Sequence, residues 1–321
     1  MLNNIIAADI GSAFTKLATA KSRSQNETRA ALDPGDSRRV LAFGEDAGRV
    51  LNASEAYPVR GGVSDIPLTA LMLRRFSLGL TKRRALFGMS LLAAIPSCAK
   101  SVDRDALLEV GREAGFKKVG LADSLLAGAV GAELDINKPT AQMIVDIGRD
   151  TVKTLVFVRG GIIAESVERF GSAAYDRRIT AYFAEEQGIL LTSAAAERLK
   201  MSLDKPVLRV SGRDASSGLP AAREIASSII RREAAPAAQR LATALASFIN
   251  ALPPEPAGDL LENGVTLIGG GAKRYGLAEE LSDALSVPVS VPQSPESAVI
   301  LGLSKYLRRE CPADLEAAVN G

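Results

Sequence analysis

The stretch that decides the fold is "MIVDIGRDTVKTLVFV", residues 143–158, because it repeats the pattern of "IIAADIGSAFTKLATA", residues 5–20. Each stretch consists of an apolar run, the triplet Asp-Ile-Gly, a short turn that contains or borders a Thr, and a second apolar run. The aspartates Asp9 and Asp146 are separated by nearly half of the chain. A pattern that recurs at such a spacing indicates internal duplication. We therefore predict two related halves, each beginning with the same hairpin.

The length and the order of elements support this prediction. A chain of 321 residues is too long for one ordinary core and suggests two domains. Apolar strand-like runs alternate with helical stretches, which favours an α/β fold. The polar break "DINKP" at 135–139 is the best boundary. We expect domain I at 1–137, domain II at 138–296, and a C-terminal helix within 297–321 that returns to domain I.

The composition excludes several classes of function. The sequence has no His, which excludes Ser-His-Asp triads and His-ligated metals. Its two cysteines, Cys98 and Cys311, are too far apart in the sequence to suggest a thiolate metal site. A net charge of +2 and 4% aromatic residues argue against nucleic acid as a partner. Neither a signal peptide nor a membrane-spanning run is evident, so we expect a cytoplasmic protein.

The two Asp-Ile-Gly turns have the chemistry of a phosphate clamp. Turns of small residues leave backbone N–H groups free to bind phosphate oxygens. Asp9 and Asp146 end their strands beside these turns and would hold Mg²⁺ through its water shell. Thr15, Lys16 and Thr151 add hydroxyl and cationic contacts. No GxxxxGK[ST] loop occurs, so the chain is not a P-loop protein.

A third glycine turn follows a later strand. In "VTLIGGGAKRYGLAEEL", residues 265–281, an apolar run ends in Gly269, Gly270 and Gly271, and a helix is expected to begin at about Tyr275. Glycines allow the backbone to approach a ligand closely, and a helix N-terminus favours anions. Three turns of this kind in one chain predict a polyphosphate ligand bound between the two halves.

Together these motifs resemble the superfamily of actin, sugar kinases and heat-shock ATPases, and within it the MreB-like bacterial actins. The resemblance extends through "YPVRGGVSDIPLTALMLRRF" at 57–76, "IPSCAKSVDRDALLEVGREAG" at 95–115 and "VSGRDASSGLPAA" at 210–222. It implies an actin-like, duplicated ribonuclease H-like fold with two domains around an ATP·Mg²⁺ cleft. It also implies self-assembly into filaments beneath the cytoplasmic membrane that help to set cell shape, and partners such as an MreB paralogue or cell-wall elongation proteins.

The resemblance assigns three groups of residues to the nucleotide. The first phosphate loop is matched by Asp9, Gly11, Ser12, Ala13, Thr15 and Lys16. The second is matched by Asp146, Gly148 and Thr151, the last of which is also a catalytic candidate. Arg149 and Asp150 are expected at the same loop, in the positions of two family glycines. The nucleoside contacts are matched by Glu197, Lys200, Gly269, Gly270, Gly271 and Ala272.

Three departures from the family pattern surround the same cleft. Where the family has "DIGGGT", this chain has "DIGRDT". The position of the family's water-orienting Glu holds Ser124, which cannot accept a proton as a carboxylate can. Asp123 is adjacent, but a shift of one helical position turns a side chain by about 100°. Ser172 and Ala173 replace a Gly-Asp pair. We predict that nucleotide binding is retained while hydrolysis is weak or lost.

A membrane contact also follows from the resemblance. In "LTKRRALFGMSLLAAIP", residues 80–96, Leu86 and Phe87 match the family's membrane-inserting loop and follow Lys82, Arg83 and Arg84. Basic residues attract anionic lipid by about 1 kcal/mol each, and two apolar side chains give weak insertion. The alternative is that Leu86 and Phe87 belong to a core strand.

Other functions stay open on the same fold. The chain could be a nucleotide-degenerate scaffold that co-assembles with an active paralogue, or a homologue that positions plasmids or organelles. A phosphotransferase would need a catalytic Asp beside a sugar pocket. A chaperone would need an appended substrate domain, for which 321 residues leave no room.

Overall fold

The computed structural model of the protein describes residues 4–82 and 86–310. The two expected hairpins each begin a five-stranded sheet. The strands of the first half are β1 (Ile5–Ile10), β2 (Phe14–Ala18), β3 (Arg23–Glu27), β4 (Ala30–Asp33), β5 (Asp36–Phe43), β6 (Ser54–Ala56), β7 (Ser90–Ile95) and β8 (Lys118–Asp123). Its helices are α1 (Ile66–Thr81), α2 (Ser101–Glu113) and α3 (Ser124–Gly131).

The second half repeats this plan with a larger insertion. Its strands are β9 (Gln142–Ile147), β10 (Val152–Val158), β11 (Gly161–Glu168), β12 (Ile189–Leu190), β13 (Val207–Asp214), β14 (Pro220–Ala226), β15 (Val265–Ile268) and β16 (Val289–Ser290). Its helices are α4 (Ala173–Glu186), α5 (Ser193–Met201), α6 (Ser227–Asn250), α7 (Pro254–Asn263), α8 (Leu277–Leu285) and the last helix, α9 (Ala298–Leu307). No helix in the described part of the chain is long and apolar enough to cross a membrane.

The two large sheets have the same topology. The first has the strand order β3-β2-β1-β7-β8 and the second β11-β10-β9-β15-β16. In both, the first three strands are antiparallel and the last two run parallel to the strand that opens the hairpin. This identity of order and direction is the duplication that the two Asp-Ile-Gly stretches predict.

The strands that open the hairpins, β1 and β9, are buried on both faces, which explains their apolar runs. In β1, Ile6 and Ala8 enter the core of the first half, while Ala7 faces the opposite way. In β9, Ile144 is the residue that faces the same cluster as Ala7. That cluster lies between the two sheets and joins the halves into one core.

The helices α3 and α9 fill the space between the sheets. Both contribute to the cluster that contains Ala7 and Ile144. They approach so closely that a side chain on Gly131 would overlap the backbone of Ala298 in α9, and one on Gly302 would overlap the backbone of Ala127 in α3. α9 also contacts β1 and β2. The domain bounds 1–137, 138–296 and 297–321 stay a prediction, and residues 311–321 lie outside the described chain.

Candidate functional site

The two hairpins end at one cavity of about 480 Å³, a size typical of small-ligand sites. Its walls come from the β1–β2 hairpin, called the first hairpin, and from the β9–β10 hairpin, called the second hairpin. The turn after β15 and the turn between β7 and α2 complete it. The parallel strands β7 and β15 run beside β1 and β9, so these turns gather at the carboxyl ends of the strands.

An aspartate and a lysine face each other in each hairpin. Asp9 is opposite Lys16 in the β1–β2 register, and Asp146 is opposite Lys153 in the β9–β10 register. The Lys16 ammonium lies 3.4 Å from Asp9 Oδ2, and the Lys153 ammonium lies 2.9 Å from Asp146 Oδ2. Burial lowers the pKa of Lys153, but the carboxylates of Asp146 and Asp9 outweigh it and raise the pKa above its ordinary value. Lys153 is therefore a cation at neutral pH.

The turns of the two hairpins are closed in the same way but have different outer partners. Gly11 N–H donates to the Phe14 carbonyl at 3.1 Å, and Gly148 N–H donates to the Thr151 carbonyl at 2.9 Å. Ser12 Oγ then accepts from Gly61 N–H at 2.9 Å, within the first half. At the equivalent place the second turn has the guanidinium of Arg149.

Arg149 connects the second turn to helix α5. Its Nη2 donates to Ser193 Oγ at 3.2 Å, at the start of the helix that carries Glu197. Both Arg149 and Glu197 line the cavity. The two residues that replace family glycines, Arg149 and Asp150, thus bring one positive and one negative side chain to the cleft.

The third turn supports the carboxylate of the second hairpin. Gly269 has φ +85°, a left-handed value that favours glycine, and a Cβ there would overlap Asp146 Oδ1. Its N–H donates to the Pro295 carbonyl at 2.8 Å. The backbone at Gly269 therefore packs directly against the Asp146 carboxylate. The predicted close approach of this turn to a ligand stays a prediction.

Most residues expected to bind the nucleotide line the cavity. They are Asp9, Gly11, Ser12, Ala13, Lys16, Asp146, Gly148, Arg149, Asp150, Thr151, Glu197, Gly269, Gly270 and Gly271. The structure thus brings together residues from both halves that are far apart in the sequence.

Thr15 and Ala272 do not reach the cavity, and we correct both expectations. Thr15 lies between Phe14 and Lys16 on β2, so strand alternation points it to the opposite face. Its hydroxyl is buried there and forms a hydrogen bond with Thr28 at 2.9 Å. Ala272 is buried in the core of the second half.

The structure also contradicts the expectation that Lys200 contacts the nucleoside. It is 1% exposed, and its ammonium lies 2.7 Å from the carboxylate of Asp176 on α4. It also donates to the Ser172 carbonyl at 3.4 Å. Because an ammonium buried in this way needs its counter-charge, Lys200 links α5 to α4 and is not free for a nucleoside. Glu197, one turn earlier, is the residue that faces the cavity.

Asp123 and Ser124, the candidates for hydrolysis, are both buried. Asp123 caps α3 by accepting from Leu126 N–H at 2.6 Å, and its Oδ2 accepts from the hydroxyl of Ser97 at 2.7 Å. Ser124 Oγ is buried without a hydrogen-bond partner. Neither residue lines the cavity: Asp123 caps α3, and Ser124 is buried. Weak or lost hydrolysis stays a prediction.

The two residues expected to contact the membrane, Leu86 and Phe87, differ in exposure. Leu86 is 2% exposed and packs into the core of the first half, whereas Phe87 is 93% exposed. Leu86 therefore cannot insert into lipid in this conformation, and the core alternative is correct for it, although it lies in no strand. Lys82 is exposed and ends α1 in a left-handed conformation. Arg83 and Arg84 lie outside the described residues.

Two residues of the cleft were missed by the sequence reasoning. Lys153 occupies the same place in the second hairpin as Lys16 in the first, so aligning the two quoted stretches position by position would have found it. Glu165 comes from β11 and accepts from the backbone N–H groups of Ser97 and Cys98 across the cleft, at 3.1 and 2.8 Å. No motif surrounds Glu165, and only the packing of the halves reveals it.

The donor set of the cleft fits a magnesium–polyphosphate ligand. Seven carboxylates and five basic side chains line the cavity, so a bound polyphosphate needs an additional cation. Mg²⁺ is usually held by one or two carboxylates together with phosphate oxygens and water. Asp9 and Asp146 could play that part. Within residues 4–82 and 86–310 no group of three or more Asp, Glu, His or Cys side chains could hold a metal.

The family model described as "MreB/Mbl protein" matches residues 4–313, nearly the whole chain. The chain belongs to the MreB/Mbl family. Among its curated relatives, the cell shape-determining protein Mbl of Bacillus subtilis (strain 168) is 28% identical over 316 residues, which cover 94% of this chain and 95% of that protein. The predicted membership of the MreB-like bacterial actins is thereby confirmed.

Solved structures of similar proteins confirm the actin-like α/β fold with two domains. The structure of MreB 5 of Spiroplasma citri bound to AMPPNP has a TM-score of 0.87 and 23% identity, covering 95% of this chain and 97% of that chain. The MamK double helical filament has a TM-score of 0.78 and 17% identity, covering 96% of this chain and 100% of that chain. At these identities the likeness establishes the fold.

Proposed function

We propose that this member of the MreB/Mbl family binds ATP with Mg²⁺ in the cleft between the two hairpins. The observation that carries the proposal is the convergence of two glycine turns, each with a strand-end aspartate and a lysine, on one cavity. The N–H groups of the turns and the two ammonium groups would bind phosphate oxygens, while Asp9 and Asp146 would hold the ion through water. A structural relative with nucleotide, MreB 5, has AMPPNP bound.

We further propose that the chain is a cytoskeletal protein that assembles with itself into filaments and takes part in determining cell shape. The relative Mbl is named a cell shape-determining protein, and MamK forms a double helical filament. The matched length supports the transfer, because this chain and Mbl cover each other almost completely. The filaments are proposed to lie in the cytoplasm at the inner face of the membrane, where cell-wall elongation proteins are candidate partners.

Hydrolysis is proposed to be slow. The position of the family's water-orienting Glu holds Ser124, and its hydroxyl is buried away from the cavity. The neighbouring Asp123 caps α3 and is engaged with Ser97. ATP would then act mainly as a ligand that stabilises the closed cleft, with Thr151 in the second turn as a contact for the terminal phosphates.

Binding is tested with a fluorescent ATP analogue and filament formation with ATP-dependent pelleting. Wild type should bind in the presence of Mg²⁺ and lose the ligand on chelation, and Asp146→Ala should abolish binding. Asp283→Ala, an exposed carboxylate on α8, is the matched control and should bind as wild type does. Absence of Mg²⁺-dependent binding by wild type would refute the proposal.

The membrane contact is proposed to rest on Phe87 alone, together with neighbouring basic residues. Phe87→Ser should reduce pelleting with liposomes that contain anionic lipid, while Leu219→Ser, which removes another exposed apolar side chain, should not. Equal pelleting of wild type and Phe87→Ser would discard the contact.

The buried Ser124 and the charged turn at Arg149 and Asp150 also favour a second candidate, a nucleotide-degenerate scaffold that co-assembles with an active paralogue. It predicts that the purified chain pellets only when mixed with a filament-forming member of the family. Pelleting of the chain alone with ATP would exclude this candidate.

A further inference from the structure

Glu165 connects the two sides of the cleft. It lies on β11, beside β10 of the second hairpin, and lines the cavity. Its Oε1 accepts from Ser97 N–H at 3.1 Å and its Oε2 from Cys98 N–H at 2.8 Å. These amides belong to the turn after β7, which is the strand next to β1 in the first half. One side chain of the second half thus holds two successive backbone groups of the first.

The turn that receives Glu165 is itself fixed to the framework of the first half. Ser97 N–H is shared with Asp123 Oδ2 at 2.9 Å, and the Ser97 hydroxyl donates to the same oxygen. Asp123 ends β8 and caps α3. The guanidinium of Arg104 on α2 donates to the Ser97 carbonyl. The turn that Glu165 contacts is therefore held by β7, β8, α2 and α3 together.

This contact has an electrostatic cost. Burial, and then the negative charge of Asp123, raise the pKa of Glu165 above its ordinary value. Burial and the Glu165 carboxylate likewise raise the pKa of the Cys98 thiol to about 11. Lys153 is the cation on the neighbouring strand, but its ammonium is bound to Asp146. In the described part of the chain, no Lys or Arg nitrogen lies within 4.0 Å of a Glu165 oxygen.

The duplication shows that the fold does not require this carboxylate. Glu165 is opposite Leu155 in the β10–β11 register. In the first half, Ala18 on β2 is the counterpart of Leu155. The residue opposite Ala18 is Arg23 on β3, and it is exposed. A half-buried carboxylate that lacks a cation partner, on only one of two equivalent strands, calls for a role other than folding.

We propose that Glu165 is a positioning residue, which sets the separation of the two hairpins through the amides of Ser97 and Cys98 so that both reach one polyphosphate. This inference rests on the proposed nucleotide site. A carboxylate that accepts two N–H groups gives a shorter and more directional contact than apolar packing provides. Preorganised walls reduce the cost of closing the cleft when the ligand binds.

The test compares Glu165→Gln and Glu165→Ala with wild type and with Glu168→Gln, which changes an exposed carboxylate on the same strand. Three quantities are measured: hydrogen exchange of the Cys98 amide by NMR, the affinity for a fluorescent ATP analogue with Mg²⁺, and the melting temperature at pH 7. In both Glu165 variants we expect amide exchange to speed up and affinity to fall about tenfold, the equivalent of one charged hydrogen bond. The melting temperature should stay unchanged or rise, because a desolvated charge is removed.

Any of three other results would contradict the inference. Unchanged exchange at Cys98 would mean that the contact does not exist in solution. Faster exchange with unchanged affinity would mean that the contact does not position the ligand. A fall in melting temperature that matches the loss of affinity would identify an ordinary stabilising residue. If wild type binds no nucleotide, the proposed function fails and this inference with it, while the exchange at Cys98 still reports separately whether the contact forms.

Discussion

The first and second hairpins share one arrangement of an aspartate, a glycine turn and a lysine, and they differ in the residues of the turn and in the partners that these residues reach. Both end a buried strand with an aspartate and oppose it with a lysine, and in both a glycine N–H closes the turn. The turns differ: Ser12 in the first accepts a hydrogen bond from Gly61 of its own half, while Arg149 in the second donates to Ser193 on α5.

The comparison separates what the site must keep from what it can change. The strand-end carboxylate, the ammonium and the glycine are shared, as expected if they contact the proposed nucleotide. The middle of the turn varies, because its outward side chains reach different neighbours. In the second turn, Arg149 extends to Ser193 on α5, and Asp150 also lines the cavity.

The largest expected difference between the hairpins is in stability. Asp146 is buried and lies 2.9 Å from Lys153, whereas the ammonium of Lys16 is 3.4 Å from Asp9. Asp146→Ala leaves a cation without its partner, so the free energy of unfolding in urea should fall by about 2 kcal/mol. Asp9→Ala should cost about half as much. Equal losses in the two variants would show that the two pairs are equivalent despite their different distances.

A smaller effect is expected from restoring the glycines of the second turn. Arg149→Gly removes a positive charge from the cleft and should weaken binding of a fluorescent ATP analogue about threefold, more at low salt than at high salt. Asp150→Gly removes a negative charge and should strengthen binding by a similar factor. Asp283→Asn, which removes an exposed charge on α8 away from the cavity, is the control and should leave binding unchanged. Changes of the same sign in the two variants would show that backbone freedom, and not charge, distinguishes the turns.

The smallest expected effect is on the dependence of stability on pH. The raised pKa of Glu165 means that the folded protein binds a proton more readily than the unfolded chain between the ordinary and the raised value. The free energy of unfolding should therefore decrease as the pH rises through that interval, and Glu165→Gln should flatten the slope. Arg23→Gln, at the equivalent place of the first half, should leave the slope unchanged. A slope that persists in Glu165→Gln would have to come from another group.

Much of the fold was predictable because its signals are local. The Asp-Ile-Gly turns and the apolar strands define both hairpins, and their repetition defines the two related halves. Strand alternation also explains why Thr15 points away from the cleft while Lys16 points into it. The spacing of Glu197 and Lys200 predicts that both side chains contact one ligand. Lys200 instead forms an ion pair with Asp176 on another helix.

What could not be predicted depends on contacts between distant segments. Glu165 enters the cleft because β11 lies at the edge of one sheet and the turn after β7 at the end of the other. Leu86 matches a loop expected to meet lipid, yet the core of the first half has room for it and encloses it. Hydropathy identifies both side chains of the Leu86–Phe87 pair as apolar, but only the packing determines which of them is exposed.

The close crossing of α3 and α9 has a mechanical consequence. Gly131 and Gly302 bring the two helix backbones together without intervening side chains, directly between the sheets. With the two backbones already in contact, the crossing has no spare volume for even one added carbon atom. A methyl group introduced by Gly131→Ala or Gly302→Ala would therefore force α3 and α9 apart in the space between the two sheets.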